Sequence, residues 1–261
     1  MPGAATFRTP AEAYDRHVGR YTPELSRALI EVAGAWPGDR ALDVGCGTGA
    51  LAGELAALLG AERVAAVDPS PPFVEACRRR LPGVRVEEGS AEALPFEDAT
   101  FDVTLAQLVV NFMTDAPAGV GEMARVTKPG GTVAAAVWDY AADMKLLRRF
   151  WDAAVAIDPR AAELDEGRSM PYCTPDALGH LWSAFDDVQV SSVVVSAHYA
   201  DFEDLWRPLE GGVAPSGAYT ASLPPARRTA LKAELEQRLG VSCEPFELTA
   251  RAWIATGRVP Q

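Results

Sequence analysis

The stretch Leu42-Asp43-Val44-Gly45-Cys46-Gly47-Thr48-Gly49 carries the residues of this chain best suited to chemistry. Glycines at a strand-to-helix turn let a ligand lie directly against backbone amides, because no Cβ stands in the way. Two kinds of ligand fit such a turn. Gly45, Gly47 and Ala50 satisfy the G-x-G-x-x-G/A spacing of a dinucleotide site, and Asp68 follows about 20 residues on, where a ribose-binding acid is expected. Asp43, just before the first glycine, separates the readings. A carboxylate there repels a pyrophosphate and attracts an ammonium group, so an amino-acid-like cation is favoured. Gly49 widens the turn, consistent with a bulkier zwitterionic head group lying on it.

These residues need strands whose ends converge. Thr22-Pro23-Glu24 reads as an N-cap with Pro at the first helical position, and Leu25, Ala28, Leu29 and Val32 recur at helical spacing until Gly34. Arg40 to Val44 is a short apolar strand, Ala50 to Leu59 a helix, Arg63 to Val67 a strand closing on Asp68-Pro69-Ser70, and Pro72 to Leu81 a helix. Strands at Val84 to Glu88 and Phe101 to Ala106 follow, then a helix through Glu122 to Val126, a Lys128-Pro129-Gly130-Gly131 loop and a strand from Thr132 to Trp138. The alternation predicts an α/β fold with a doubly wound, mostly parallel sheet. All strand C-terminal ends then share one edge, which brings together the loops beginning at Asp43, Asp68, Gly89 and Ala106.

The second half is more helical. Helices are expected at Met144 to Ile157, from the Thr174-Pro175-Asp176 cap, at Asp201 to Leu209 and at Pro225 to Leu239, with strands at Val188 to Ala197 and Phe246 to Thr256. Residues 1–139 then form a ligand-binding core with an N-terminal cap segment, 140–187 and 198–245 are helical lid insertions, and 188–197 and 246–257 are the last strands.

Composition narrows the function classes. The 261 residues carry 24 Lys+Arg against 36 Asp+Glu, a net charge of −12, which disfavours a nucleic-acid partner. No apolar run approaches the ~20 residues of a membrane span. Met1 to Glu12 lacks an apolar secretory segment, and a cytoplasmic location is the expectation. Cys46, Cys77, Cys173 and Cys243 show no metal-ligand spacing, so no metal is expected.

In order along the chain, LDVGCGTG (Leu42 to Gly49), VDPS (Val67 to Ser70), EGSAEALPF (Glu88 to Phe96), FDVTLAQ (Phe101 to Gln107) and EMARVTKPGG (Glu122 to Gly131) resemble the class I S-adenosylmethionine-dependent methyltransferases. Within them they resemble the ubiquinone/menaquinone-type small-molecule branch, over roughly Tyr14 to Asp139. The resemblance implies a Rossmann-like seven-stranded sheet, S-adenosyl-L-methionine as cofactor and a small-molecule acceptor. It implies that Gly45, Gly47 and nearby backbone hold the methionine part, with Asp43 near its ammonium group. Asp68 would accept from both ribose hydroxyls, and Pro69 would lie against the adenine. Ser90, Ala91 and Glu92 would border the adenine, although the family more often has an acid at the position of Ser90. Gln107 would stand near the sulfonium. Tyr14, Arg20 and Tyr21 belong to a segment resembling the part that folds over the cofactor, with Arg20 a partner for the methionine carboxylate.

Methyl transfer from a sulfonium is an in-line displacement, which holding donor and acceptor in place accelerates, so a general base is optional. His17, His198, Tyr172 and Tyr219 are candidate bases and none is assigned. Trp151, Tyr172, Trp182, Trp206 and Tyr219 offer the lid an aromatic lining. A non-catalytic cofactor-binding protein and a nicotinamide-dependent oxidoreductase remain as alternatives, the latter without a Tyr-x-x-x-Lys motif.

Overall fold

The computed structural model describes residues 18–212, 214–241 and 243–261, so Tyr14 and His17 lie outside the described residues. After a 3-10 turn, Val18–Tyr21, helix α1 (Thr22–Ala33) carries Pro23 in its first turn, where the missing N–H has no helical partner to lose. Thr22 does not cap this helix. The preceding turn puts Tyr21 at the cap position, and Thr22 Oγ1 instead donates to Gly19 O at 2.7 Å. Gly34 closes the helix in a left-handed conformation, its N–H reaching Glu31 O and Ile30 O.

Strand β1 (Ala41–Val44), α2 (Ala50–Leu59), β2 (Val64–Asp68), α3 (Pro71–Arg80) and β3 (Arg85–Glu88) follow. The chain then crosses back to β4 (Phe101–Gln107), α4 (Ala116–Val126) and β5 (Thr127–Trp138). With β6 (Asp186–Tyr199) and β7 (Phe246–Arg258) these strands make one 7-stranded sheet in the order β3-β2-β1-β4-β5-β7-β6. The first five pair in parallel, and β7 runs antiparallel to both β5 and β6. The winding reverses between β1 and β4, which opens a crevice beyond their carboxyl ends. The doubly wound sheet expected from the sequence is therefore what forms. One boundary differs: the segment read as a Lys128–Gly131 loop belongs to β5. Thr127 already pairs with Phe101; the register then shifts across Lys128 to Gly131, where Gly130 turns left-handed at φ 75°, and Gly130 N to Val259 O (2.8 Å) with Val259 N to Gly131 O (2.9 Å) ties this bulge to the chain after β7.

Side chains alternate between two cores along the central strands. Ala134, Ala136 and Trp138 of β5 face one core with α1, α2 and α3, whereas Val133, Ala135 and Val137 face the other with α4 and α6 (Pro175–Leu181). Helix α6 is thus an ordinary crossover helix packed on β6 and β7, and Trp182 at its end donates Nε1 to Val133 O at 3.1 Å. By contrast, α5 (Lys145–Ile157), α7 (Phe202–Glu210), α8 (Ala214–Ser222) and α9 (Pro225–Leu239) form a helical layer that extends the face of α1.

Of the aromatic residues expected to line a lid, Trp151, Trp182, Trp206 and Tyr219 are buried inside these cores, and Tyr172 packs half-buried against the second of them. Trp151 lies 5.7 Å from Tyr219 between ring centroids and donates Nε1 to Glu166 Oε2 at 3.0 Å, and Trp206 stacks on Phe202. Burial of large rings is the demand of the helical layer's own interior, which sequence composition does not distinguish from a ligand's demand.

Candidate functional site

The crevice beyond β1 and β4 draws on every loop expected to share that edge. Asp43, Gly45 and Gly47 line it after β1, Asp68 and Pro69 after β2, Ser90, Ala91 and Glu92 after β3, and Gln107 after β4. Asp43 is buried within β1. Its Oδ2 accepts from Ala52 N at 2.9 Å, at the start of α2, while its Oδ1 is buried without a partner among the described residues. Burial pushes this carboxyl up to about 7; the Ala52 N–H opposes the shift and nearby Asp68 adds to it.

Asp68 ends β2, where the chain turns into α3. Its Oδ1 accepts from Ser70 N at 2.8 Å and its Oδ2 from Gly47 N at 2.9 Å. Burial raises its pKa against the pull of those two N–H groups. Each carboxylate oxygen keeps a free lone pair, so two further donors can be received side by side.

The glycine turn works differently from the sequence expectation. Gly45 N and Cys46 N both donate to Val67 O (2.7 and 3.0 Å), and Gly47 N is taken by Asp68, so these amides are committed within the protein. Gly45 is required for packing: at φ +71°, a Cβ there would meet Val109 Cγ1 at 2.7 Å. Gly49 faces Cys77 Sγ and Leu81 Cδ1 at 2.8 and 2.9 Å from a notional Cβ, so its role is close approach of α3 and not room for a head group. Only at Gly47, at φ +53°, is the space beside the chain open, with nothing within 4 Å. A ligand can approach the backbone there.

Glu92 is a clamp. Its Oε1 accepts from Thr114 N (2.7 Å) and Asp115 N (3.3 Å), the Ser90 hydroxyl donates to its Oε2, and Glu92 N donates to Ser90 Oγ at 3.2 Å. Burial would raise its pKa, but the Ser90 hydroxyl and these N–H groups outweigh it and hold the carboxyl low. The loop after β3 is thereby tied to the loop after β4. That second loop follows Gln107, the last residue of β4, whose buried Oε1 has no partner among the described residues, and opens with Leu108 in a left-handed conformation at φ 64°. Leu108 N reaches Ala136 O at 2.8 Å, which holds this strained residue at the crevice wall.

Other expected residues lie elsewhere. Arg20 forks onto Asp204 at 2.6 and 2.8 Å, donates to His198 O at 3.0 Å and covers the Tyr199 ring at 4.8 Å, so its guanidinium is not placed for a ligand carboxylate in the crevice. Tyr21 is buried in the core, its hydroxyl 3.4 Å from that of Tyr199 and its ring against Trp138. His198 points to solvent beside Glu247, and neither Tyr172 nor Tyr219 lines the crevice. The sequence reading missed Thr22, Phe73, Leu108, Val109, Phe112 and Met113, all of which line the site. Phe73 carried a signal, an aromatic shortly after Asp68-Pro69; the apolar run from Leu108 reads equally as buried strand. Among the described residues no group of three or more His, Cys, Asp and Glu is arranged to hold a metal ion.

Comparison with known proteins shows the family. A methyltransferase-domain model matches residues 42–135. The chain is 31% identical over 240 residues to the demethylmenaquinone methyltransferase of Clavibacter sepedonicus, covering 85% of this chain and 94% of that protein. The chain belongs to the S-adenosylmethionine-dependent methyltransferase family. Other matches are shorter: the malonyl-[acyl-carrier protein] O-methyltransferase of Serratia marcescens is 33% identical over 129 residues, which is 47% of this chain and 50% of that one. The chain thus spans about half the length of that curated relative. Among solved structures, the YcgJ protein of Bacillus subtilis shares the fold with a TM-score of 0.59 at 18% identity, covering 91% of this chain and 99% of that one.

Membership of this methyltransferase family sets the dinucleotide reading aside, and the crevice fits an adenosyl sulfonium cofactor. Asp43 Oδ1, without a partner among the described residues, can take an ammonium donor, the Asp68 pair of oxygens matches a diol, and the flank of Gly47, whose N–H is held by Asp68, is open.

Proposed function

We propose that this methyltransferase binds S-adenosyl-L-methionine in the crevice beyond β1 and β4 and transfers its methyl group to a small, partly apolar acceptor. The observation that carries the reading is the buried, unpartnered Asp43 Oδ1 beside the two half-satisfied oxygens of Asp68. When bound, the cofactor supplies a methyl group on a sulfonium, which departs as a neutral thioether. Asp43 receives the ammonium group, since an unpaired carboxylate this deeply buried is otherwise strongly disfavoured. Asp68 accepts the ribose hydroxyls. Pro69, Ala91 and Phe73 supply apolar surface for the adenine, and Ser90, whose hydroxyl proton goes to Glu92, retains acceptor capacity for the adenine amino group.

Gln107 orients the methionine part beside the reacting centre, and Leu108, Phe112 and Met113 exclude water from the acceptor side. The first insertion borders this wall, because Tyr172 N donates to Asn111 Oδ1 at 2.9 Å. We place the acceptor between that wall and α1, with catalysis resting chiefly on alignment. No general base is assigned. The acidic composition favours a small acceptor over a nucleic acid, and the helical layer, which extends the face of α1 and places no residue in the crevice lining, is proposed as a lid from that side. No helix of the described residues is long and apolar enough to cross a membrane, and a cytoplasmic site of action is part of the proposal.

Calorimetric titration with S-adenosylmethionine, S-adenosylhomocysteine and NADH tests the reading. Micromolar binding of both adenosyl ligands with none for NADH is expected; NADH binding alone would sink it. Cofactor binding without turnover across an acceptor screen would favour a non-catalytic cofactor-binding protein.

A further inference from the structure

Strand β6 is an edge of the sheet, with β7 as its neighbour on the other side. In an antiparallel ladder each residue's N–H and C=O point to the same side, and the side alternates along the strand. Ser196 N donates away from β7 to Glu24 Oε2 at 2.8 Å, and His198 O accepts from Arg20 Nη1 at 3.0 Å. The pairing with β7 is regular from Gln189 to Tyr199, so Val190, Ser192 and Val194 face outward as well. Their outward N–H and C=O groups have no partner among the described residues.

This open window has defined ends. Glu24 and Arg20 close the edge at Ser196 and His198. At the other end, a register shift between Asp186 and Gln189, with Asp187 left-handed at φ 51°, interrupts the strand. Between those stops the devices that blunt exposed edges are missing: Val188 to Ala197 contains no Lys, no Pro and no charged side chain. Val194 is 59% exposed and Ser191 and Ser192 are also exposed.

We propose that this edge pairs antiparallel with the same edge of a second copy of the chain, about a two-fold axis at Ser192. The outward triplet Val190, Ser192, Val194 reads identically in both directions. A two-fold therefore sets Val190 against the partner's Val194 and Ser192 against the partner's Ser192, and each outward N–H meets an outward C=O. Charge argues for the same occupant. A chain of net charge −12 repels its copy over most of its surface, and an uncharged symmetric window is where a self-contact is tolerated. The window is short, so the dimer is reversible, and it joins two sheets into one continuous sheet.

Sedimentation velocity on the full chain tests this. The mass should rise from 27.8 kDa toward twice that value as concentration goes from about 1 to about 200 μM, the range appropriate to a small interface. Val194→Lys sets a charge into the window, and Ser192→Pro removes an outward N–H without touching the bonds to β7; each should weaken association at least about tenfold. Amide exchange at Val190, Ser192 and Val194 should slow with concentration in the wild type. Circular dichroism verifies folding of each variant, and Val194→Lys decides alone if Ser192→Pro does not fold. A wild-type chain that stays monomeric throughout, or a dimer that both folded variants leave intact, overturns the proposal.

Discussion

Asp43 and Gln107, on the adjacent strands β1 and β4, hold two buried acceptor oxygens of the crevice that no described protein group satisfies. A buried acceptor left without a donor costs about 1–3 kcal/mol, more for a charged group, and that cost is relieved when a ligand supplies the donor. The ligand-free protein is thus destabilised at the place proposed for binding.

Asp43 makes this relief depend on pH. Its folded carboxyl, at about 7, lies well above the ~3.9 of an unfolded Asp, so the native state holds the proton more tightly. Stability from this group is therefore lost as pH rises from about 4 to about 7 in the free protein. An ammonium ligand requires the ionised form, so affinity should rise over pH 6 to 7, with close to one proton released per ligand at about pH 6. Titration in buffers of different ionisation enthalpy reads that proton. Asp43→Asn should abolish the release, weaken cofactor binding at least about tenfold and raise the ligand-free melting temperature at pH 8.

Replacement of Asp68 probes the proposed ribose site. Asp68→Ala removes two charge-assisted contacts, each worth roughly 1.5–3 kcal/mol, and should weaken S-adenosylmethionine binding by at least about tenfold. It also frees Gly47 N and Ser70 N, so the melting temperature should fall too. A ribose-free ligand such as methionine separates the effects, since its weak binding should change little. Unchanged cofactor affinity would mean the ribose lies elsewhere.

The Glu92 clamp predicts coupling between the two crevice loops. Glu92→Gln keeps the shape but retains a single acceptor oxygen where Ser90, Thr114 and Asp115 all donate. We expect a loss of about 1–2 kcal/mol of stability and a raised cofactor KM, with faster amide exchange at Thr114 and Asp115. Native exchange rates at those amides in the variant would refute the clamp.

A second titrating group lies outside the crevice lining. Glu166 is buried against Trp151 Nε1, and burial pushes its carboxyl up to about 7, with neighbouring Asp165 adding to the rise. Its folded pKa exceeds the unfolded ~4.3, so it too loses native-state stability between about pH 4 and 7. Glu166→Gln should flatten the fall of melting temperature over that range without altering cofactor affinity. A slope identical to wild type would exclude Glu166 as its source.

What was legible in the sequence was local. The glycine turn, Asp43, Asp68 and the loop starting at Gln107 depend on strand ends whose alternation shows in short apolar runs, and the structure brings them to one edge. Arg20 was not legible, because Asp204, its partner, lies 184 positions away in another helix. Nor was the fate of Trp151, Trp206 and Tyr219, since a ring buried by helices and a ring lining a cleft obey the same periodicity. Gly49 misled for the opposite reason: its need for φ +90° and for closeness to Cys77 is steric, whereas the spacing invited a ligand.

The position of β7 between β5 and β6 also bears on the order of synthesis. Strand β6 reaches the rest of the sheet only through Phe246–Arg258, which pairs with β5 on one side and β6 on the other. As the chain leaves the ribosome, β1 to β5 can assemble the half that carries the crevice early. The uncharged, Ser-interleaved strand Val188–Ala197 must meanwhile wait, both edges bare, until β7 emerges to shelter one of them. Slow translation of that interval would lengthen the time for which the nascent protein is most exposed to mispairing, and is where a chaperone would matter most.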